Sequence, residues 1–396
     1  MNLIKKYFIK EIFLILLSIL VVLYLLEFFL ILIDFKDWKT RRAESILGTD
    51  NKFEILRELE VKNNRITVNY SPPSEETNKQ LKLHPLSGVS NSITIDCNEN
   101  GYVSTFVSDR FGFNNKNNKN WDLKNIDILL VGDSFANGAC VNYKDTINGN
   151  FEKIKKNLKI LNISKGGNGP LSEYASLREY LPFVNPKKII WFYFEGNDLD
   201  NLSDELKNGI LSKYLNEKNF SQNLYYKQNL IDNFLIKFLK SEVQNREIEK
   251  KQNSNLIKFV KLNRLVRFKN EKIDFIKLYY TKKIEKDNSL NKFSEIIFYA
   301  NELAKNKGSE FYFVYLPDVS RYSYAENKKN LFYKEEIIQI VNKLNISIID
   351  LDKELFAKQS EPLSLFPKIH PPSHYNEKGY YLVSKIVAKK LNIIIN

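Results

Sequence analysis

IDILLVGDSF, residues 126–135, predicts a buried strand that runs directly into a turn. The run from Ile126 to Val131 is almost entirely apolar, as in strands that are covered on both faces. Gly-Asp-Ser then places the Ser134 hydroxyl at the carboxyl end of that strand, where open α/β sheets bind their ligands. Because Gly-Asp-Ser also occurs in turns without any function, the prediction of a site depends on the rest of the chain.

Strands and helices alternate beyond this stretch. Apolar runs with the length of strands lie at 159–163, 188–195, 310–316 and 346–351. Helical patterns lie between them at 172–181, 291–306 and 331–344, and shorter strands precede them at 92–95 and 102–107. This alternation predicts an α/β fold with a mainly parallel sheet and helices on both faces.

The N-terminal region predicts a membrane anchor. Residues 12–33 are nearly all apolar, and a helix of that length spans about 33 Å, enough for the hydrocarbon core of a bilayer. We predict an uncleaved signal anchor within residues 1–35, which makes the chain a single-pass membrane protein with an extracytoplasmic domain, periplasmic or at the cell surface. A cleaved signal peptide is the alternative.

The remaining chain divides into residues 36–125, a juxtamembrane segment and N-terminal extension, and residues 126–396, the main domain. Within that domain, residues 200–290 break the alternation and predict a helical insertion. One amphipathic helix in it carries an apolar face made of Ile231, Phe234, Leu235, Phe238 and Leu239. A second, basic helix is predicted at about 256–268. We interpret the insertion as a cap over the site, with a basic surface for a membrane or an anionic glycan as the alternative.

The charge of the chain bears on its partners. Sixty Lys and Arg against 47 Asp and Glu give a net charge of +13. The lysines are spread along the chain and no RNA- or DNA-binding motif is present, so we predict no nucleic-acid partner. An anionic glycan or membrane surface fits a basic domain outside the cytoplasm. Asp109 and Arg110 are interpreted as a solvated pair, and the sequence does not indicate an oligomeric state.

Cys97 and Cys140 are the only cysteines. An isolated pair in an exported domain predicts a disulfide, with two buried thiols as the alternative. Together with His84, His370 and His374, these cysteines show no spacing typical of metal ligands. We therefore predict neither a metal nor a cofactor.

Residues suited to nucleophilic catalysis follow the strands. A serine hydroxyl needs a neighbouring base to become a nucleophile, and His374 is the candidate base for Ser134. The oxyanion that forms on attack needs hydrogen-bond donors placed in advance. The candidate donors are the backbone N–H groups of Ser134 and Gly167 and the side-chain amide of Asn197, each on a turn after a predicted strand.

In four blocks the sequence resembles the SGNH (GDSL-type) hydrolase family over about residues 126–396, the insertion excepted. The matching positions are Gly132-Asp133-Ser134, then Asn162, Ser164 and Gly167, then Gly196-Asn197-Asp198, and finally His374 five residues before Gly379. The resemblance implies a flavodoxin-like three-layer α/β/α fold. It also implies ester hydrolysis or acyl transfer, with Ser134 as nucleophile, His374 as base, and Gly167 and Asn197 as oxyanion donors.

One block departs from the family pattern. The family usually carries an aspartate three residues before the histidine, where it orients the imidazole, whereas this chain has Pro371, followed by Pro372. The chemistry then runs on a Ser134–His374 dyad, or another group holds the ring. The substitutes in view are a backbone carbonyl and the acids Asp133, Asp198 and Asp318.

These features predict a serine esterase that acts through an acyl-enzyme on Ser134. The expected substrate is an acyl ester, with acetyl as the expected group, on a cell-envelope or exported glycan. An O-acyltransferase with the same site is one alternative, because both reactions share the acyl-enzyme. A catalytically silent glycan-binding protein is another, and the missing aspartate is its main support.

Overall fold

The computed structural model describes residues 10–30, 51–60, 65–70, 81–116, 118–252, 262, 288–323, 333–368 and 374–393. His370, Pro371 and, apart from Leu262, the basic helix expected at 256–268 lie outside these residues. The chain divides into two compact units, residues 1–46 with 241–284 and residues 47–240 with 285–396.

The first unit contains helix α1, Lys10–Leu30. Its 21 residues are long and apolar enough to cross a membrane, by length and composition. Its apolar side chains, such as Phe13, Leu16 and Leu25, are exposed. A helix is therefore observed where the anchor was predicted. Its retention as an anchor and the direction of crossing stay predictions, because a signal sequence has the same length and composition.

The second unit contains two sheets. Its strands are β1 Ile66–Val68, β2 Ile93–Ile95, β3 Thr105–Val107, β4 Asn125–Val131, β5 Ile160–Asn162, β6 Asn185–Phe194, β7 Glu310–Leu316 and β8 Ser347–Asp350. The first three form a small mixed sheet, in which β2 pairs with both others. The last five form a parallel sheet in the order β5-β4-β6-β7-β8. This is the order of flavodoxin-like sheets, which confirms the predicted fold class.

Helices lie before, between and after the strands. Their bounds are α2 Asn51–Glu60, α3 Ser134–Asn137, α4 Ile147–Ile154, α5 Pro170–Tyr180, α6 Asp198–Glu205, α7 Lys213–Asn216, α8 Gln228–Gln252, α9 288–306, α10 Lys334–Lys343, α11 Leu351–Glu354 and α12 Glu377–Lys390. Several of them begin with a side-chain cap. Thr146, for example, accepts the Gly149 N–H at 3.1 Å at the start of α4.

Apolar side chains of β4 alternate between two cores, one on each face of the sheet. Leu129 and Val131 belong to one core, and Ile128 and Leu130 to the other. Residues of α5, α9 and α10 complete the first core, and residues of α4 and α12 complete the second. Helices therefore cover both faces, which makes the three layers that the resemblance implied.

The segment before β4 shares the first of these cores, to which Phe111 and Trp121 belong. Asp109 is 1% exposed and accepts hydrogen bonds from backbone and side-chain donors of the same segment. The interpretation of Asp109 and Arg110 as a solvated pair is therefore wrong, because Arg110 pairs with Asp122 at 2.6 Å instead. The physical reason is that the folded-back turn leaves buried N–H groups that need an acceptor.

The amphipathic helix predicted in the insertion is α8. All five residues of its predicted apolar face are buried, namely Ile231, Phe234, Leu235, Phe238 and Leu239. All but Leu239 belong to the first core. The apolar face thus packs on the domain, while the function of the insertion as a cap stays a prediction.

Candidate active site

Ser134 is the first residue of α3, three residues after the end of β4. Asp133, rather than Ser134, caps the helix by accepting the Phe135 N–H at 2.9 Å, so the serine hydroxyl is not used as a cap. A Cβ on Gly132 would lie 2.7 Å from the Cβ of Ala136. Only glycine therefore lets the chain turn this tightly from strand to helix.

His374 lies against this serine. Its Nε2 is 2.9 Å from the Ser134 Oγ, and its ring is 5.0 Å from that of Phe135. Asn376 caps α12 by accepting the Gly379 N–H at 2.9 Å. A Cβ on Gly379 would meet the Leu365 carbonyl oxygen at 2.4 Å, which explains the need for glycine five residues after the histidine. The structure thus brings together the nucleophile and base predicted from the sequence.

A carboxylate that sequence analysis missed holds the other side of the ring. The Glu99 Oε1 is 2.9 Å from the His374 Nδ1, and its Oε2 accepts the His374 backbone N–H at 2.9 Å. An ionised carboxylate only accepts hydrogen bonds. The proton of a neutral imidazole therefore lies on Nδ1, and Nε2 is left as the acceptor for the serine hydroxyl.

None of the acids considered from the sequence takes this position. Asp133 caps α3 and lies 3.3 Å from the Ser134 Oγ. Asp198 accepts the Phe194 N–H at 2.8 Å, and Asp318 accepts the Ser320 N–H at 2.8 Å. The prediction that one of these three acids orients the imidazole is therefore wrong, because each carboxylate accepts a hydrogen bond from a backbone N–H in its own turn. The one available signal for Glu99 was its place two residues after Cys97, if the predicted disulfide was accepted.

Cys97 and Cys140 form that disulfide, with 4.9 Å between their Cα atoms, which confirms the prediction. We call residues 96–104 the acid loop. It joins the segment after α3 at further points: the Cys140 N–H donates to Asp96 at 2.9 Å, and the Asn100 amide donates to the Cys140 carbonyl at 3.0 Å. The acid loop is thus tied covalently and by hydrogen bonds to the segment that follows the nucleophile.

Carboxylates dominate the electrostatics around His374. Burial acts to lower the pKa of His374, but the Glu99 carboxylate, with Asp96 and Asp133 farther off, raises that pKa above its ordinary value overall. Burial has the opposite effect on Asp133, which is an acid, and raises its pKa to about 6. The imidazolium that forms when His374 takes a proton is therefore stabilised by its surroundings.

The candidate oxyanion donors lie on neighbouring loops. Gly167 has φ +84°, which favours glycine. A Cβ on the adjacent Gly166 would lie 3.6 Å from that of Ser134, so this loop reaches the nucleophile. Asn197 lies between the end of β6 and the start of α6, and β6 pairs with β4. Its Oδ1 is buried with no hydrogen-bond partner among the described residues. Their role as donors stays a prediction.

A buried acid, Glu173, interacts electrostatically with Asp133 beside the nucleophile. Glu173 is 1% exposed, and neither of its carboxyl oxygens has a hydrogen-bond partner in the described part of the chain. Burial and the charges of Asp198 and Asp133 raise the pKa of Glu173 well above its ordinary value. We therefore expect Glu173 to stay protonated to higher pH than an exposed glutamate.

One group of potential metal ligands occurs in the described ranges. Cys97, Cys140 and His374 have ligand atoms within 4.8 Å of one another. The two sulfurs form a disulfide with each other, so the oxidised chain offers no thiolate to a metal here.

A serine, a histidine and a carboxylate in hydrogen-bonded series at the carboxyl edge of a parallel sheet form a site for nucleophilic acyl chemistry. No family model matches the sequence, and no curated protein matches it. Solved structures do show similarity. A member of the lipolytic protein G-D-S-L family from Veillonella parvula is 12% identical, at a TM-score of 0.36, over 68% of this chain and 100% of that chain.

Two esterases are similar to the same extent. An acetyl xylan esterase is 11% identical, at a TM-score of 0.36, over 67% of this chain and 100% of that chain. A psychrotrophic esterase from Pseudoalteromonas is 9% identical, at a TM-score of 0.34, over 68% of this chain and 98% of that chain. Support for a function comes from the contacts of Ser134 and His374 rather than from these similarities.

Proposed function

We propose that the chain is a serine esterase that hydrolyses an acyl ester through an acyl-enzyme on Ser134. The observation that carries this proposal is the 2.9 Å contact between the Ser134 Oγ and the His374 Nε2. This distance lets the imidazole take the hydroxyl proton as the oxygen attacks a carbonyl carbon.

The reaction follows in two halves. In the first, Oγ bonds to the acyl carbon, Nε2 takes the serine proton, and the protonated His374 then gives it to the leaving alcohol. In the second, water loses a proton to Nε2 and attacks the acyl carbon, and Ser134 leaves with its proton restored. The backbone N–H groups of Ser134 and Gly167 and the amide of Asn197 receive the oxyanion in both halves.

The substrate we propose is a small acyl group, acetyl in the first instance, on a cell-envelope or exported glycan. A helix apolar enough to anchor the chain supports an enzyme at a membrane, and the disulfide supports an oxidising compartment outside the cytoplasm. The net charge of +13 supports an anionic glycan. Transfer of the acyl group to a sugar hydroxyl would use the same acyl-enzyme.

The test uses the full chain in detergent, with Ser134→Ala and His374→Gln. Wild type should label with a fluorophosphonate and hydrolyse p-nitrophenyl acetate, and both variants should lose these activities. Ser360→Ala, at an exposed serine, is the matched control and should keep them. Labelling that persists in Ser134→Ala refutes the proposal. Acylated sugar that accumulates in place of free acid, when a glycan acceptor is added, identifies a transferase.

A further inference from the structure

We propose that Glu99 is the positioning residue of this site and that the Cys97–Cys140 disulfide holds Glu99 in place. Full activity then requires the oxidised chain, in which this disulfide is formed. This inference rests on the proposed function. It places the third member of a serine–histidine–acid set in the N-terminal extension, rather than beside the histidine in sequence.

The contacts of Glu99 support a positioning function. Its two oxygens bind two different atoms of His374, the ring Nδ1 and the backbone N–H, each at 2.9 Å. The ring can then neither flip nor exchange its tautomer without breaking a charge-assisted hydrogen bond. The side chains of Glu99 and His374 are 18% and 16% exposed, so water competes weakly for this pair.

Glu99 lies on a loop that needs external support. The acid loop is closed at its base by two backbone hydrogen bonds, Asp96 N–H to Ser104 and Ser104 N–H to Cys97, at 3.0 and 2.9 Å. No described helix or strand contains Glu99. What keeps the loop in place is therefore its attachment to neighbouring segments.

Two attachments bracket Glu99. On one side, Cys97 is bonded to Cys140, six residues after the nucleophile. On the other side, the Tyr102 hydroxyl donates to Glu377 at 2.7 Å, three residues after His374. The acid loop thus connects the segment that carries the base to the segment that follows the nucleophile, with Glu99 between the two attachments.

Reduction would remove the covalent attachment. Dithiothreitol gives two electrons and two protons to the Cys97–Cys140 bond, which becomes two thiols, while the reagent closes to its cyclic disulfide. In the oxidised chain the Cys140 Sγ lies 3.5 Å from the His374 Nδ1, so once freed by reduction it can compete with Glu99 for that proton. Reduction therefore loosens Glu99 and adds a competing group at the same nitrogen.

The first experiment measures kcat/KM for p-nitrophenyl acetate against pH in the full chain. Among the described residues, the ionisable groups that raise the pKa of His374 are Glu99, Asp96 and Asp133. Glu99→Gln should lower the plateau by about 10²–10⁴-fold, as in related sites that lose the acid. The same substitution should also move the acidic side of the profile of kcat/KM against pH to lower pH, because the carboxylate that raises the pKa of His374 is gone. Glu99→Asp should move the acidic side of the profile back toward its position in the wild-type protein.

The second experiment is a double-mutant cycle. Cys97→Ala/Cys140→Ala should lower kcat/KM by about 10-fold or more, since a displacement of 1 Å at a site costs up to about 10²-fold. In the Glu99→Gln background, the same cysteine change should cost less than about 2-fold, because the disulfide acts through Glu99. Thermal unfolding of wild type, the cysteine variant, Glu99→Gln and the combined variant gives the temperature range in which each protein is folded.

Reversible reduction provides a second route if the cysteine variant does not fold. Wild type treated with dithiothreitol, with EDTA present to prevent metal capture by the freed thiols, should lose activity, and reoxidation should restore it. Ser134→Ala monitors the proposed function separately. If Ser134→Ala is inactive but Glu99→Gln keeps the wild-type pH profile, or if the cysteine change costs equally with and without Glu99, the inference is overturned while the esterase stands.

Discussion

Replacement of Asp109 by alanine should destabilise the main domain severely. The Asp109 carboxylate accepts four hydrogen bonds: from the backbone N–H groups of Phe111 and Phe113 at 2.8 and 2.9 Å, from the Asn115 amide at 2.8 Å and from the Trp121 indole at 2.7 Å. Alanine leaves all four donors buried without an acceptor, and each such donor costs about 1–3 kcal/mol.

The net effect is smaller than the sum of these costs. Burial raises the pKa of Asp109 despite its four donors, so the wild-type protein carries a desolvation cost that the variant does not have. Water can also enter the space of the lost carboxylate and satisfy some of the donors. We therefore expect the free energy of unfolding to fall by about 4 kcal/mol, with about 2 kcal/mol as a lower bound.

Urea denaturation of the full chain, followed by far-ultraviolet circular dichroism and by tryptophan fluorescence, measures this loss. Asp109→Asn should fall between wild type and Asp109→Ala, because it keeps an acceptor but turns a donor toward other donors. The matched control is Asp122→Ala, which removes a 61% exposed carboxylate from the same segment. It should cost less than about 0.5 kcal/mol. Equal losses in Asp109→Ala and Asp122→Ala would falsify the buried-acceptor explanation.

The other predictions concern the disulfide, a buried acid and an oxyanion donor. Cys97→Ala/Cys140→Ala should lower the free energy of unfolding in urea by about 4 kcal/mol, because the bond closes a loop across 43 positions; a loss below about 1 kcal/mol contradicts this. The raised pKa of Glu173 means that the folded chain holds a proton there which the unfolded chain releases above about pH 4.5. Stability should therefore fall as pH rises above about 4.5, and Glu173→Gln should reduce that fall by up to about 1.4 kcal/mol per pH unit; an unchanged slope in the variant speaks against a raised pKa of Glu173. Asn197→Ala should lower kcat by about 10²–10³-fold with KM nearly unchanged, and steady-state kinetics that give a wild-type kcat would remove Asn197 from the oxyanion donors.

The parallel sheet could be predicted because its signals are local. Each core strand is an apolar run of strand length, and the observed bounds, such as Asn125–Val131 and Glu310–Leu316, lie within a few residues of the predicted ones. Both faces of these strands are covered, so periodicity and burial indicate the same structure. The disulfide was predicted for a similar reason, since the chain contains only two cysteines.

The contact between Ser134 and His374 was also within reach of the sequence. Ser134 follows one strand of a parallel sheet, and the carboxyl ends of such strands lie at one edge, where loops from distant parts of the chain meet. The resemblance of the four motifs to the SGNH (GDSL-type) family then implied that His374 lies at the same edge. The buried position of Asp109 was not predictable in this way, because an Asp-Arg pair in a turn has the composition of a solvated loop.

By itself, the sequence determined the strands and the edge at which they end, because these depend on runs and turns of a few residues. The pairing of Ser134 with His374 was implied by the resemblance of the four motifs to a known family. Only the tertiary structure decided which carboxylate orients the imidazole. Glu99 is 275 residues from His374 in sequence, and its one sequence signal is its place two residues after Cys97. Its position results from the docking of the acid loop and from the Cys97–Cys140 bond, and such long-range contacts form only when the whole domain packs.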